Sequence, residues 1–213
     1  METIIGIACK DHVIVAASAQ ANHSIIQIKD TEDKLHAVDS NKILATAGEA
    51  GDRVQFTDYV SRNLVLNATR QGRSNTAASA AHFIRWQLAN SIRSRSPYQV
   101  FCLLAAYDNP LPELKRLNET KGENKPDGSG AYLWYMDYLG TMQQVPFATH
   151  GYGGTFCMAI LDRYYKEDMT EDESKALMQK CIDEVKKRIV INNSKFCVKI
   201  INKDGIKVLP QME

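Results

Sequence analysis

Apolar residues in the first fifty positions fall in short clusters rich in β-branched side chains. Ile4–Ala8 and Val13–Ala17 flank the polar Lys10-Asp11-His12, a pattern that predicts a hairpin. Ser24–Ile28 and Lys42–Thr46 continue the strand pattern, with Asp39-Ser40-Asn41 as a turn. Spacing then changes to that of helices. Gly48–Asp52 leads into Val54, Phe56, Tyr59, Val60 and Leu64 at helical intervals. Ser74-Asn75-Thr76 can cap a second helix that carries Ala80, Phe83, Ile84, Leu88 and Ile92 on one stripe and ends before Pro97.

Val100–Tyr107 is apolar without alternation, which predicts a strand covered on both faces. Asn109–Gly130 is polar and rich in Pro and Gly, and Tyr132–Met136 resumes the strand pattern. The segment at about 109–130 therefore reads as a tolerated insertion at the tip of a hairpin. Gly153–Tyr165, with Phe156, Met158, Ala159 and Leu161, predicts a third helix. Thr170-Glu171-Asp172-Glu173 is a capping box, followed by the stripe Leu177, Cys181, Ile182, Val185 and Ile189. Phe196–Ile201 and Ile206–Val208 around Asn202–Gly205 predict a closing hairpin. Strands, two helices, strands, two helices and strands define an α+β protein, one domain over residues 1–213. Two antiparallel sheets packed face to face, each covered by a helix pair, satisfy both helix stripes and the doubly buried strand.

Composition narrows the function classes. The 213 residues carry 26 Lys+Arg and 25 Asp+Glu, a net charge of +1 that gives no reason to expect a nucleic acid or an anionic membrane as partner. No apolar run is long enough to span a bilayer, and the N-terminal segment lacks the pattern of a signal peptide, so an intracellular protein is expected. Five scattered cysteines without a C-x-x-C pair argue against a disulfide framework and against a structural zinc site. No cofactor or metal is implied.

Thr3-Ile4-Ile5-Gly6-Ile7 followed by Val13–Ser18, then Lys34, the Ala47–Asp52 stretch around Gly48, Gly151-Tyr152-Gly153-Gly154, Leu161-Asp162, Tyr165 and Met169–Glu173 together resemble the β-type subunits of the 20S proteasome. The resemblance runs over the chain except for 109–130. Ala47–Phe56, Ser91–Val100 and Tyr138–Thr141 look particularly like the subunit at the fourth β position. It implies a four-layer αββα sandwich of the N-terminal nucleophile hydrolase kind. It also implies assembly with other α and β subunits into stacked seven-membered rings, in cytoplasm and nucleus.

Active members of that family use an N-terminal Thr whose own α-amine is the base, supported by Lys, Asp and a backbone N–H for the oxyanion. Aligned on Val13–Ser18 and Asp33–Lys34, the nucleophile position holds Glu2 and the supporting Asp position holds Ser18. Tyr152 replaces the Ser of a Gly-Ser-Gly turn, and Ile189 and Asn192 stand at two further lost positions; Lys34 and Gly48 remain. The expectation is therefore no catalytic residue in this chain. It would be a structural and assembly subunit supporting ATP- and ubiquitin-dependent degradation by catalytic neighbours. The rival reading trims the chain to an active Thr3. Family processing cleaves after Gly, however, and a shift of one residue in a strand moves the side chain to the other face. Two weaker readings are a thiol enzyme pairing Cys102 with one of His12, His23, His36, His82 or His150, and a phosphate cradle at Gly151–Gly154. The first places its thiol in an apolar strand, and the second lacks a P-loop Lys-Ser/Thr.

Overall fold

In the computed structural model, which describes residues 2–23, 26–110, 129–189 and 195–212, every residue of strands β1 (Thr3–Ala8) and β2 (His12–Ser18) is buried. They lie inside an antiparallel sheet ordered β10 (Phe147–Gly151), β1, β2, β11 (Phe196–Asn202), β12 (Gly205–Val208). A second antiparallel sheet runs β5 (Leu35–Asp39), β6 (Lys42–Gly48), β7 (Val100–Asp108), β8 (Gly130–Met136), β9 (Met142–Gln144). A separate hairpin, β3 (Ala21–His23) with β4 (Ile26–Lys29), projects between β2 and β5 in the chain and exposes all of β4.

Strand alternation sorts the apolar side chains into three layers. Ile4, Val13, Val15 and Ala17 meet Ile43, Ala45, Leu103, Ala105 and Leu133 between the sheets. Ile5, Ile7, Ile14, Ala16, Val198 and Ile200 point the other way, against helices α3 (Gly154–Tyr164) and α4 (Glu171–Arg188). Leu44, Cys102, Leu104 and Met136 face helices α1 (Ala50–Gln71) and α2 (Ala77–Ser91). The result is the αββα sandwich that the sequence pattern requires. The predicted caps form: the Thr76 side chain accepts from the Ser79 amide, and Thr170 and Glu173 close a reciprocal capping box.

Several expectations change. The α1 stripe is Arg53, Phe56, Thr57, Val60 and Leu64, and Val54 and Tyr59 face outward, because a helix buries i, i+3, i+4 positions whatever their polarity. In α3 the buried face is Gly154, Cys157 and Leu161, leaving Phe156 and Ala159 exposed. The strand expected at Ser24–Ile28 is β4, starting at Ile26; residues 24 and 25 lie outside the described residues. So do most of the 109–130 insertion and Asn192. β5, β9 and β10 had no clear periodic signal, being short and of mixed polarity. Among the described residues no helix is long and apolar enough to cross a membrane.

The α1 correction has a direct test in urea unfolding of the full chain. Phe56→Ala, at a fully buried position, should cost about 3–5 kcal/mol, and Val54→Ala, at an exposed one, less than about 0.5 kcal/mol. Comparable losses at the two positions would contradict the assignment of faces.

Candidate functional site

Glu2, at the mouth of β1, points its carboxylate into a polar interior region where three donors from separate elements converge. Its Oε2 accepts from the Gly48 amide at 2.9 Å, at the end of β6. Its Oε1 lies 3.2 Å from Lys34 Nζ, just before β5, and 3.5 Å from Arg53 Nε on α1. Lys34 is wholly buried, and its ammonium also donates to the carbonyls of Ser18 at 2.9 Å and Gln20 at 2.6 Å. Burial lowers the Lys34 pKa, an effect that the neighbouring Glu2 carboxylate offsets in part. Arg53 is also buried and pairs through its guanidinium with Glu32.

Backbone geometry fixes this arrangement. Gly48 has φ 133°, and a Cβ there would lie 2.1 Å from the Gln99 carbonyl oxygen, so only glycine brings its N–H to this position. Gly151, at φ 88°, lets β10 pass so close to β1 that a Cβ would sit 1.7 Å from the Glu2 carbonyl oxygen. Ser18 closes the other side of β1, its Oγ accepting from the Thr3 amide at 3.2 Å.

Of the seven positions aligned with the family site, Glu2, Ser18, Lys34 and Gly48 therefore meet in space, and Asn192 lies outside the described residues. Tyr152 does not join them: it sits on the turn after β10 with 69% of its surface exposed. Ile189 packs at the end of α4 against the helix-side core. Thr3 turns to the opposite face of β1, against Gly153 of the turn before α3, so close that a Cβ on Gly153 would lie 2.6 Å from the Thr3 Oγ1. Arg53 and Glu32 were missed. The signal for Arg53 was its spacing, i, i+3, i+4 with Phe56 and Thr57, which a search for apolar stripes skips.

The thiol reading fails on geometry. Cys102 is fully buried, and burial raises its thiol pKa. His150 does approach it, but Nε2 donates to the Cys102 carbonyl oxygen at 3.3 Å, not to sulfur, and its ring stacks on Tyr135 at 4.4 Å. Among the described residues no group of three or more His, Cys, Asp or Glu could hold a metal ion.

The proteasome subunit family model aligns with residues 1–118 and 126–201 of this chain. The chain belongs to the proteasome subunit family. Within that family it is similar to the β-type subunits. It is 43% identical over 208 residues to the proteasome subunit beta type-2 of Trypanosoma brucei brucei, covering 97% of this chain and 96% of that one. It is 40% identical over 210 residues to the beta type-2 subunit of Dictyostelium discoideum, covering 99% and 98%. Identity to the proteasome subunit beta type-4 of Saccharomyces cerevisiae is 37% over 207 residues, covering 97% and 96%. Membership implies assembly with other proteasome subunits in a proteolytic complex.

His150 gives this region a pH dependence. Burial lowers its pKa from 6.5 to about 4, and His12 and His36 are lowered for the same reason. Between pH 6.5 and 4 the unfolded chain binds a proton at His150 that the folded chain does not, so stability falls as pH falls through that window. The loss from His150 is of the order of 3 kcal/mol. Thermal unfolding from pH 7 to 4.5 should show a shallower pH slope for His150→Phe than for the parent chain; equal slopes would contradict the account.

Proposed function

We propose that this chain is a non-catalytic structural and assembly subunit of the 20S proteasome β ring. It helps close a seven-membered ring that stacks on an α ring and on the opposite β ring. It forms part of the chamber wall, beside catalytic neighbours that carry out ATP- and ubiquitin-dependent protein degradation in cytoplasm and nucleus. The observation that carries the reading is the position of the Glu2 carboxylate. It takes up the Gly48 amide and the Lys34 ammonium, the two groups that would serve an attacking hydroxyl and its oxyanion. A carboxylate in that place has no hydroxyl to offer and no vacancy for the carbonyl of a substrate.

The alternative, an active N-terminal Thr3, meets the alternation of β1. Thr3 faces α3 and α4 while Glu2 faces Lys34, so a Thr3 nucleophile would need the strand to slip by one residue against both β2 and β10. Such a slip would exchange the apolar sets of Ile4 and Ile5 between two cores.

Native mass measurement of the particle carrying this chain, with Thr3→Ala beside the parent, tests the proposal. The expected outcome is a particle of many α- and β-type subunits with every peptidase activity retained in the variant. A chain that runs alone, or loss of one peptidase activity in the variant by two or more orders of magnitude, would overturn it.

A further inference from the structure

Glu2 is held as a bound ligand is held. One oxygen takes the Gly48 amide at 2.9 Å; the other faces Lys34 at 3.2 Å and Arg53 at 3.5 Å. The side chains of Lys34 and Arg53 are 0% and 3% exposed, whereas that of Glu2 is 17% exposed. Arg53 has a second carboxylate, Glu32, and Lys34 has two carbonyls, so both cations stay in place without Glu2. Take the Glu2 carboxylate away and the pocket keeps a backbone amide fixed by a positive-φ glycine, a buried ammonium and one edge of a guanidinium, with an excess of positive charge. Donors divided in this way suit a planar anion with two oxygens.

We propose that this pocket is a carboxylate-binding site whose built-in occupant is Glu2, and that shortening Glu2 opens it to free small carboxylates. In the intact chain the site is closed to them. Given the chamber role proposed above, on which this consequence rests, Glu2 keeps a wall subunit from retaining the carboxylate ends that proteolysis creates. Leaving the donors unfilled would cost stability, since a buried amide and an under-compensated ammonium lose their partner.

Acetate is the probe, with chloride at equal ionic strength as control, and the thermal midpoint of the full chain is the readout. In Glu2→Ala the midpoint should fall in chloride and rise saturably with acetate. The rise should be about 3 °C when acetate reaches about ten times its dissociation constant. The parent chain and Glu2→Gln, whose amide still fills the space, should show no difference between the two salts. A response of the parent equal to that of Glu2→Ala, or no acetate-specific response in Glu2→Ala, would overturn the inference. If Glu2→Ala does not fold in chloride, refolding yield is read instead. Recovery with acetate alone supports the site, and failure in both salts beside a normally folding Glu2→Gln overturns it. Sequencing of the mature N-terminus separates the two levels. A chain that begins at Thr3 would sink the non-catalytic reading, whereas a Glu2→Ala chain indifferent to acetate would sink the carboxylate site.

Discussion

A lysine ammonium buried at the edge of two sheets must collect its acceptors from whatever backbone lies nearby, and Lys34 collects them from three directions. The Ser18 and Gln20 carbonyls come from the end of β2 and the residues after it, and the Glu2 carboxylate comes from the start of β1. An ammonium with those partners removed would be too costly to bury. The need to satisfy it ties together the first strand, the exit from the second and the approach to the fifth. The same approach segment is held at neighbouring positions: Asp30 by Lys195, Glu32 by Arg53, and Asp33 by Lys199, at 2.7 Å for the first pair and 2.6 Å for the last. The charged residues along 30–34 thus fasten the connection between the β3–β4 hairpin and β5 to β11 and α1. Asp30 with Lys195, partly open to water, contributes little.

Much of this fold was legible because most of its elements carry a period or a cap. The short apolar runs of β1 and β2 announced a hairpin, the unbroken run of β7 announced a strand covered on both sides, and the Thr170–Glu173 box announced the start of α4. What failed did so for physical reasons. β10 reads Phe-Ala-Thr-His-Gly, a mixture with no alternation of polarity. Yet it borders β1 and supplies the Gly151 turn against which Glu2 rests. Arg53 lies on the buried face of α1, where a hydrophobic search finds nothing, because its burial is stabilised by charges brought from Glu2 and Glu32.

The candidate site was legible in its parts and not in its meaning. Alignment placed Glu2, Ser18, Lys34 and Gly48 together, and the structure joins them. The sequence gives no hint that Glu2 would turn inward and take the Gly48 amide rather than extend into water. That outcome follows from the alternation of β1 and from the left-handed backbone of Gly48. The Glu2 side chain is a structural fastening between the two sheets.

The account stands or falls on whether any residue of this chain acts as an N-terminal nucleophile inside the assembled particle. An electrophile that forms a ring with both the α-amine and the hydroxyl of an N-terminal threonine reports this directly. Treated with such a reagent, the native particle should show adducts on its catalytic subunits, while this chain keeps its unmodified mass, Glu2 included. An adduct on Thr3 at the N-terminus of this chain would contradict the account.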